Sequence, residues 1–381
     1  MKKKIMIITG YYLPGIKGGG PIRSIKNLVD NLYDVYDFYI ITSDRDLGDI
    51  EPYSDVKKDE WVDVGDISVF YTNKENFTWK KISKTINSID YDVLYLNSFF
   101  SFRFSIIPVI LKRARKITRR PIILAPRGEF STGAINLKRT KKWLFIKMIK
   151  LLKLYNNVIW HATTKEEEEL IKQTIGKNVK VRTANNLTTN YSNLEYNKEL
   201  YKDEGKAKFV FLSRIHPKKN LIQAVKLLNN VKGEVEFNIY GPIEDNEYWR
   251  RCKKIIKVQP SNITVNYKGI AKHSELMTVF YNHHFLLFPT LGENFGHVIS
   301  ESLIGGCPVI ISDKTPWKNL AELNIGWDIS LYNNRELSET IQKCIDLNNE
   351  DYINLSYKAF LYAKAKSNTQ PNIDDVHHLF S

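Results

Sequence analysis

Two glutamates lie eight residues apart in the stretch LGENFGHVISESLIGGCPVIIS, residues 291–312. Helical spacing begins near Phe295 or Gly296, so Glu293 lies just before the predicted helix and Glu301 about two turns into it. The first N–H groups of a helix have no intrahelical partner and can hold a phosphate. A carboxylate can accept paired hydrogen bonds from vicinal hydroxyls. The stretch therefore predicts a site for a phosphate flanked by two diols, which is the pattern of a nucleotide sugar.

Two other loops carry chemistry of the same kind. LSRIHPKKNL places Arg214 at the end of an apolar run and Lys219 at the start of a helical pattern. A guanidinium and an ammonium that converge there suit a diphosphate leaving group, because they would neutralise its developing charge. YYLPGIKGGGPIRS contains three consecutive glycines, residues 18–20, that let the backbone approach a ligand closely. This loop is not GxGxxG, so it does not indicate a dinucleotide site.

The elements that must position these loops follow from the alternation of short apolar runs with helical patterns. Runs such as KIMIITG and PIILAPRG predict parallel strands in the first half of the chain. Residues 188–207 are polar and lack core periodicity, so they are the predicted linker, and the alternation restarts at KFVFLSR. In an open α/β sheet, ligands bind outside the carboxyl ends of the strands, where all three loops lie. The prediction is two doubly wound α/β domains in tandem.

These motifs together resemble one enzyme family. ENFGHVISESLIGGCPVI resembles the E-x7-E motif of the family-4 retaining glycosyltransferases of GT-B fold, SRIHPKKN their R-x4-K motif, and GIKGGGP their glycine-rich loop. The resemblance covers nearly the whole chain, and PRGEFS points to a bacterial subgroup that builds polysaccharides. It implies two Rossmann-like domains facing a central cleft. These would be an acceptor domain (1–190), a donor domain (206–360) and a terminal helix (361–381) that returns to the first domain.

The same resemblance implies an activity and the residues that perform it. A sugar would move from a nucleoside-diphosphate sugar to a glycan or lipid-linked acceptor with retention of configuration, and no metal or other cofactor would be needed. Arg214 and Lys219 would bind the diphosphate, Glu293 the hydroxyls of the sugar, and Glu301 the ribose. The other implied donor-binding residues are Gly19, Gly20, Ile270, Asn294, Phe295, Gly296, His297 and Val298.

Arg127, in LAPRGEFSTGA, is a departure from the family pattern, because many members carry a histidine at this place. An arginine cannot act as a general base at neutral pH, since its pKa is above about 12. It could still bind the donor or stabilise negative charge. In a front-side retaining mechanism the departing phosphate can itself take the acceptor's proton. Arg127 therefore stays among the catalytic candidates with Arg214, Lys219 and Glu293.

The formal net charge of +14 is concentrated in one window. Residues 93–165 hold sixteen Lys and Arg against one acid, Glu129. Within this window, Lys147, Lys150 and Lys153 share one side of a predicted helix, and a second side is apolar. The members of that apolar side are Leu144, Met148, Leu151 and Tyr155. Residues 112–155 could lie against an anionic membrane, or the apolar side could pack into its own domain.

Several other interpretations remain open or are disfavoured. A GT-B epimerase or phosphorylase would use the same fold, and a nucleic-acid-binding protein could use the basic window, although no stacking or helix-turn-helix motif supports it. Asp44 and Asp46 form a DxD-like pair that we expect in a solvated acidic loop rather than at a metal. The adjacent pairs His283-His284 and His377-His378 do not suit a shared metal.

The chain has three cysteines and no CxxC pair, which fits a reducing compartment. It also has no run of about 18 apolar residues that could span a membrane. The sequence therefore predicts a cytoplasmic protein that could bind the inner membrane peripherally.

Overall fold

The computed structural model describes residues 1–136, 139–367 and 369–381. The chain forms two compact units. The first comprises Met1–Thr189 together with Asn368–Ser381, and the second comprises Asn190–Ser367. Each unit has its own sheet, parallel except for one edge strand of the first unit, and its own core, so the predicted fold class of two doubly wound α/β domains is confirmed.

The first unit is built on an eight-stranded sheet. Its strands are β1 (Lys3–Ile8), β2 (Tyr36–Ser43), β3 (Trp61–Val64), β4 (Ile67–Thr72), β5 (Val93–Asn97), β6 (Ile122–Ala125), β7 (Val158–Ala162) and β8 (Val181–Thr183). Their order is β3-β4-β2-β1-β5-β6-β7-β8, and every neighbouring pair is parallel except β3 with β4. The helices are α1 (Gly20–Leu32), α2 (Trp79–Asn87), α3 (Ile107–Arg113), α4 (Thr132–Asn136), α5 (Arg139–Leu151) and α6 (Lys165–Thr174). The central strands are apolar on both faces because helices cover both sides of the sheet.

The second unit is built on a six-stranded sheet that is parallel throughout. Its strands are β9 (Lys206–Leu212), β10 (Glu234–Tyr240), β11 (Ile263–Gly269), β12 (Phe285–Phe288), β13 (Val309–Ser312) and β14 (Gly326–Ile329), in the order β11-β10-β9-β12-β13-β14. The helices are α7 (Leu221–Leu227), α8 (Asn246–Ile256), α9 (Leu276–Tyr281), α10 (His297–Ile304), α11 (Asn334–Asp346) and α12 (Asn349–Lys366). The strand order changes direction between β9 and β12, which is where doubly wound sheets bind ligands.

The chain passes from the first unit to the second between Thr189 and Asn190, within the predicted linker, residues 188–207. Most of it belongs to the second unit, where two of its lysines are buried. Lys202 Nζ donates to the carbonyls of Ile345 (2.7 Å) and Leu347 (3.0 Å), and Lys198 Nζ donates to that of Phe280 (2.9 Å). The polar composition of this segment does not show that these two ammonium groups bind carbonyl oxygens inside the protein.

A last helix, α13 (Gln370–Phe380), belongs to the first unit although α12 belongs to the second. The chain therefore changes unit near residue 368, several residues later than the predicted boundary at 361. Val376, Leu379 and Phe380 are buried in the first core, and the Phe380 ring lies 5.6 Å from the ring of Tyr95. Among the residues that the structure describes, no helix combines the length and the apolar character needed to cross a bilayer.

Candidate functional site

The predicted site residues of the second unit lie at one edge of its sheet. Arg214 follows β9, Ile270 follows β11 and Glu293 follows β12 within a few residues. Since all six strands are parallel, their carboxyl ends point to the same edge. The structure thus brings together, at the ligand-binding edge of a doubly wound sheet, loops that are about 80 residues apart in sequence.

Lys219 and Glu293 form the centre of this edge. The Lys219 ammonium lies 2.6 Å from Glu293 Oε1, and both side chains are only 13% exposed. Thr290 Oγ1 donates to the same oxygen at 3.0 Å. The two loops are also joined through their backbones, because Leu291 N donates to the carbonyl of Lys218 at 2.8 Å. The R-x4-K and E-x7-E segments therefore form one connected structure.

Arg214 is held by an acid that the sequence analysis did not consider. Its Nη1 donates to Glu244 Oε2 at 2.7 Å. Glu244 follows β10 and could have been found as an acid just beyond the apolar run EFNIYGP. Burial lowers the pKa of the neighbouring His216, with Glu244 opposing that shift. A neutral imidazole explains how a His216 ring nitrogen accepts from Lys218 N at 3.2 Å and starts the turn that carries Lys219.

Helix α10 begins next to this pair. Gly296 caps it in the left-handed region (φ 80°), where an added Cβ would lie 2.9 Å from Ile299 Cδ1, so glycine is required there. Trp317 Nε1 donates to the carbonyl of Phe295 at 2.7 Å and holds the loop before the helix. The backbone N–H of Val298, in the first turn, has no acceptor within the described ranges. An open helix start of this kind favours an anion.

Glu301 lies closer to the helix start than predicted. It is the fifth residue of α10, just over one turn in, whereas the sequence placed it about two turns in. The difference arises because the glycine cap delays the start of the helix to His297. Glu301 is 6% exposed, and a buried carboxylate requires polar partners. Asn294 and Phe295 occupy the loop between Glu293 and the cap.

The glycine-rich loop lies at the carboxyl end of β1 in the first unit. Gly19 (φ 68°) caps α1, and Gly20 is its first residue. Asp46 Oδ2 accepts hydrogen bonds from the backbone N–H of Ile16 (2.6 Å) and Lys17 (2.9 Å), and so holds this loop from the end of β2.

The expectation of a solvated acidic loop at Asp44 and Asp46 was wrong. Both side chains are buried: Asp46 binds backbone N–H groups of the glycine loop, and Asp44 is paired with Arg45 at 2.9 Å. No cluster of three His, Cys, Asp or Glu residues suited to a metal exists in the described part of the chain. The acids of this DxD-like pair therefore have structural partners.

Arg127 follows β6 and is held by three neutral acceptors. Its Nε donates to Asn97 Oδ1 (3.0 Å), its Nη1 to Asn186 Oδ1 (2.5 Å) and its Nη2 to Tyr95 Oη (2.8 Å). Tyr95 Oη lies 2.7 Å from Nδ1 of His161. Burial, the largest cause, lowers the pKa of His161 to about 3, and the Arg127 charge adds to this shift. His161 is therefore neutral and acts as a structural partner in the Arg127 network.

Two glutamates, the partly buried Glu129 and the buried Glu167, hold the loop that carries Arg127. Glu129 accepts from Ser98 Oγ (2.6 Å) and Phe99 N (2.5 Å) beyond β5. Glu167, on α6, accepts from Gly128 N at 2.7 Å. Burial raises the pKa of Glu129, and its hydrogen bonds oppose that shift. Sequence reasoning counted Glu129 only as the one acid of the basic window, since only the tertiary structure shows what it binds.

The adjacent histidines of the second unit are structural. His284 Nδ1 accepts from Lys208 N (2.9 Å), and its Nε2 binds the carbonyl of Tyr201 (3.0 Å). His283 binds the carbonyl of Val279 at 2.6 Å. Burial lowers the pKa of His283 to about 4 and that of His284 to about 3.

Comparison with known proteins agrees with this architecture. Residues 192–361 match the family described as "Glycosyl transferases group 1". None of the curated proteins matches the chain in sequence.

Several solved structures share the fold along the whole length of the chain. HepE of Anabaena, in complex with UDP and glucose, has a TM-score of 0.69 at 15% identity, with 99% of each chain covered. The sucrose-phosphate synthase of Thermosynechococcus elongatus has a TM-score of 0.71 at 14% identity, covering 100% of this chain and 98% of that one. WaaG, a glycosyltransferase involved in lipopolysaccharide biosynthesis, has a TM-score of 0.65 at 13% identity, with 95% of each chain covered. At such identities the likeness shows the fold, which is that of GT-B glycosyltransferases.

Proposed function

Since residues 192–361 belong to the group 1 glycosyl transferases, we propose that the protein transfers a sugar from a nucleoside-diphosphate sugar to a glycan acceptor with retention of anomeric configuration. The observation that carries the proposal is the Lys219–Glu293 pair beside the open start of α10. This arrangement puts a cation, an oxygen acceptor and backbone donors next to one another, as a sugar diphosphate requires.

Arg214 and Lys219 are the side chains that we assign to the diphosphate of the donor. Lys219 gives one of its three N–H groups to Glu293, and Arg214 gives one of its five to Glu244. The remaining donors can bind phosphate oxygens while the two acids keep the cations in place. A guanidinium binds a phosphate through two parallel hydrogen bonds, and an ammonium acts as a point charge.

The rest of the donor follows from the elements around this pair. Phosphate oxygens also meet the backbone N–H groups at His297 and Val298, where the helix dipole favours an anion. Glu301 accepts the ribose hydroxyls, and Glu293 accepts those of the transferred sugar. The base contacts the backbone at Ile270, beyond β11. Gly19 and Gly20 are the donor-binding candidates of the first unit.

In the transfer step, the bond between the anomeric carbon and the diphosphate oxygen breaks as the acceptor hydroxyl attacks from the same face. The diphosphate leaves with the electron pair of that bond, and one of its oxygens takes the acceptor's proton. Arg214 and Lys219 stabilise the charge that develops on the leaving group. Arg127, a permanent cation, binds the donor or stabilises negative charge and takes no proton.

We propose that the step needs no metal ion, since two side-chain cations supply the positive charge at the diphosphate. The acids of the DxD-like pair are engaged with Arg45 and with the glycine loop, which supports this assignment. Turnover that is unchanged in excess EDTA is the expected result. Activity that falls in EDTA and returns with Mg²⁺ or Mn²⁺ would contradict it.

The acceptor we propose is a lipid-linked saccharide on the cytoplasmic face of a bacterial membrane. The basic window and the resemblance to polysaccharide-building enzymes support it. UDP-glucose is the first donor to test, because HepE of Anabaena binds it in a solved structure. Proton NMR of the product decides the stereochemistry, and an inverted anomeric carbon would overturn the retaining mechanism.

Nucleotide binding is the most direct test of the donor site. Calorimetric titration of UDP, GDP, ADP and their hexose conjugates should give one preferred base. Glu301→Gln should weaken binding about ten- to a hundredfold, because a paired hydrogen bond to a charged group contributes about 1.5–3 kcal/mol. Glu322→Gln, at an exposed position of the same unit, is the matched control and should bind as the wild type does. If well-folded protein binds no nucleotide, the proposal fails.

Product analysis, together with these titrations, separates the alternatives. Conversion of the sugar without an acceptor would favour an epimerase, and a requirement for inorganic phosphate would favour a phosphorylase. Binding of DNA that weakens steeply with salt, without nucleotide binding, would favour a nucleic-acid-binding protein.

A further inference from the structure

Helix α5 (Arg139–Leu151) packs on the first core with one face only. Phe145 and Ile149 contact the apolar core, and Ile149 is fully enclosed by it. Lys142 lies on the same face: its ammonium donates to the carbonyl of Ala134 and lies 4.9 Å from the centre of the Phe100 ring. With 3.6 residues per turn, positions 142, 145 and 149 account for the inward side of the helix.

The opposite face of α5 is apolar and exposed. Five apolar side chains of this face and of the turn that follows α5 are between 48% and 83% exposed. They are Trp143, Leu144, Met148, Leu151 and Leu152. Of the apolar side predicted from the sequence, only Tyr155 is buried. The expectation that this side could pack into its own domain is therefore wrong for the helix itself. We call these five exposed residues the α5 ridge.

Basic side chains border the α5 ridge. Lys147, Lys150 and Lys153 are exposed, and the Lys147 ammonium lies 5.1 Å from the centre of the Trp143 ring. Across the residues that the structure describes, no ion pair joins these three lysines to an acid. The ridge is thus an apolar strip with uncompensated positive charge beside it.

A second basic segment meets the α5 ridge at its end. Arg113, the last residue of α3, donates through Nη1 to the carbonyl of Leu152 at 2.6 Å. This bond brings the turn at residues 114–120 next to the end of α5. Arg115, Lys116 and Arg119 of that turn are exposed, whereas Arg120 is paired with Asp90 at 3.5 Å. The two basic segments, which are separate in sequence, therefore form one surface.

We propose that the α5 ridge docks into the headgroup region of an anionic lipid bilayer, with the lysines and the arginines of the turn facing lipid phosphates. An interfacial helix has this design: bulky apolar residues on one side, cations beside them, and an axis parallel to the membrane. Tryptophan prefers the same depth. Thirteen residues are too few to span a bilayer, and a nucleic acid would use the charge but not an exposed apolar strip.

This inference deepens the proposed function, since it names the surface from which a lipid-linked acceptor would be taken. The docking itself needs no sugar transfer, so its test is independent. If the protein binds vesicles but no nucleotide, the transferase proposal fails and the docking stands. If it binds nucleotide but no vesicles, the docking fails alone.

Flotation with vesicles of phosphatidylcholine, with and without 30% phosphatidylglycerol, tests the docking. We expect the wild type to float with the anionic vesicles and at least tenfold less with the neutral ones. The fraction that floats with anionic vesicles should be at least tenfold lower for the α5 triple variant, which combines Leu144→Gln, Met148→Gln and Leu151→Gln. Its matched control replaces exposed apolar residues of the second unit, as Val258→Gln, Leu323→Gln, Tyr332→Gln, and should float as the wild type does.

Charge is tested in the same way with equal numbers of lysines. One triple variant combines Lys147→Gln, Lys150→Gln and Lys153→Gln, and it should float less than the wild type. The control triple variant combines Lys253→Gln, Lys254→Gln and Lys257→Gln, which are exposed on and just after α8, and it should float as the wild type does. A urea unfolding transition like that of the wild type shows that each variant is folded. Quenching by brominated lipid should fall in Trp143→Phe, which reports insertion of the α5 ridge directly.

Four results would overturn the proposal. The first is equal binding to neutral and anionic vesicles, and the second is full vesicle binding by the α5 triple variant. The third is that the wild type self-associates without binding lipid and the triple variant does not self-associate. The fourth is quenching by brominated lipid that is the same in Trp143→Phe as in the wild type. The third would assign the α5 ridge to a second copy of the chain.

Discussion

Arg127 Nε, Nη1 and Nη2 each donate to a neutral acceptor, and no ion pair to Arg127 occurs in the described parts of the chain. The other two cations assigned to the site differ, since Lys219 is held by Glu293 and Arg214 by Glu244. The charge of Arg127 is thus oriented but not neutralised. A cation held in this way is suited to a substrate that brings negative charge, whereas Lys219 and Arg214 are oriented by acids through charge-assisted hydrogen bonds.

At the residue scale, Tyr95 connects Arg127 to His161. Tyr95→Phe removes one hydroxyl and leaves His161 Nδ1 and one Arg127 N–H without their partner. Because a buried polar group left unpaired costs about 1–3 kcal/mol, we expect the free energy of unfolding in urea to fall by that amount. Tyr332→Phe, at the most exposed tyrosine, is the control and should change nothing. Equal stabilities of the two variants would show that the network adds no stability.

At the scale of elements, the carboxyl edge of the first sheet is organised by side chains that bind backbone groups of neighbouring loops. Asp46 holds the glycine loop, and Glu129 and Glu167 hold the Arg127 loop. Each such side chain lies at the end of one element and binds the loop of another. The loops that would contact a ligand are therefore fixed by buried polar contacts rather than by apolar packing.

A buried histidine at the start of β12, His284, predicts a dependence of stability on pH. The folded-state pKa of His284 is about 3, and an unfolded histidine has a pKa near 6.5. As the pH falls from about 6.5 towards 3, the unfolded chain takes up a proton that the folded chain refuses. The folded state is therefore destabilised by about 1.4 kcal/mol per pH unit in this window.

We expect His284→Gln to reduce the slope of unfolding free energy against pH by about one proton between pH 6 and pH 4. The measurement is urea unfolding at a series of pH values. His378→Gln, an exposed position on α13, is the control. A variant slope equal to that of the wild type would mean that His284 titrates normally in the folded protein.

At the scale of the molecule, the two units share one chain that passes from one to the other twice. The second passage, near residue 368, lets α13 complete the first core with Val376, Leu379 and Phe380. Helix α13 is thus a structural part of the first unit. The Arg182 guanidinium donates to the carbonyl of Leu379 at 2.7 Å and fixes the end of this helix.

Truncation after Ser367 should therefore destabilise the first unit selectively. Three buried apolar side chains are lost, each contributing about 1.5–3 kcal/mol, so the loss is on the order of 5 kcal/mol. Hydrogen exchange measured by peptide should rise in β1–β8 and stay unchanged in β9–β14. His378→Ala, on the exposed side of α13, is the control. Equal exchange in both sheets would show that α13 does not stabilise the first unit.

Sequence alone determined the features that depend on local order along the chain. The alternation of apolar runs and helical patterns specified two parallel sheets, because a strand buried on both faces must be apolar throughout. The spacing of Arg214 and Lys219, and of Glu293 and Glu301, marked the loops that follow strands. These inferences needed no knowledge of which strands are neighbours.

Only the tertiary structure decided which side chains meet and which face of a helix is covered. The pairing of Arg214 with Glu244, the burial of Lys198 and Lys202, and the outward direction of the α5 ridge all depend on contacts between distant segments. Apolar residues occur on both sides of α5, so its pattern is compatible with either orientation. The core selects one face by packing Phe145 and Ile149, and the face left over becomes the exposed surface.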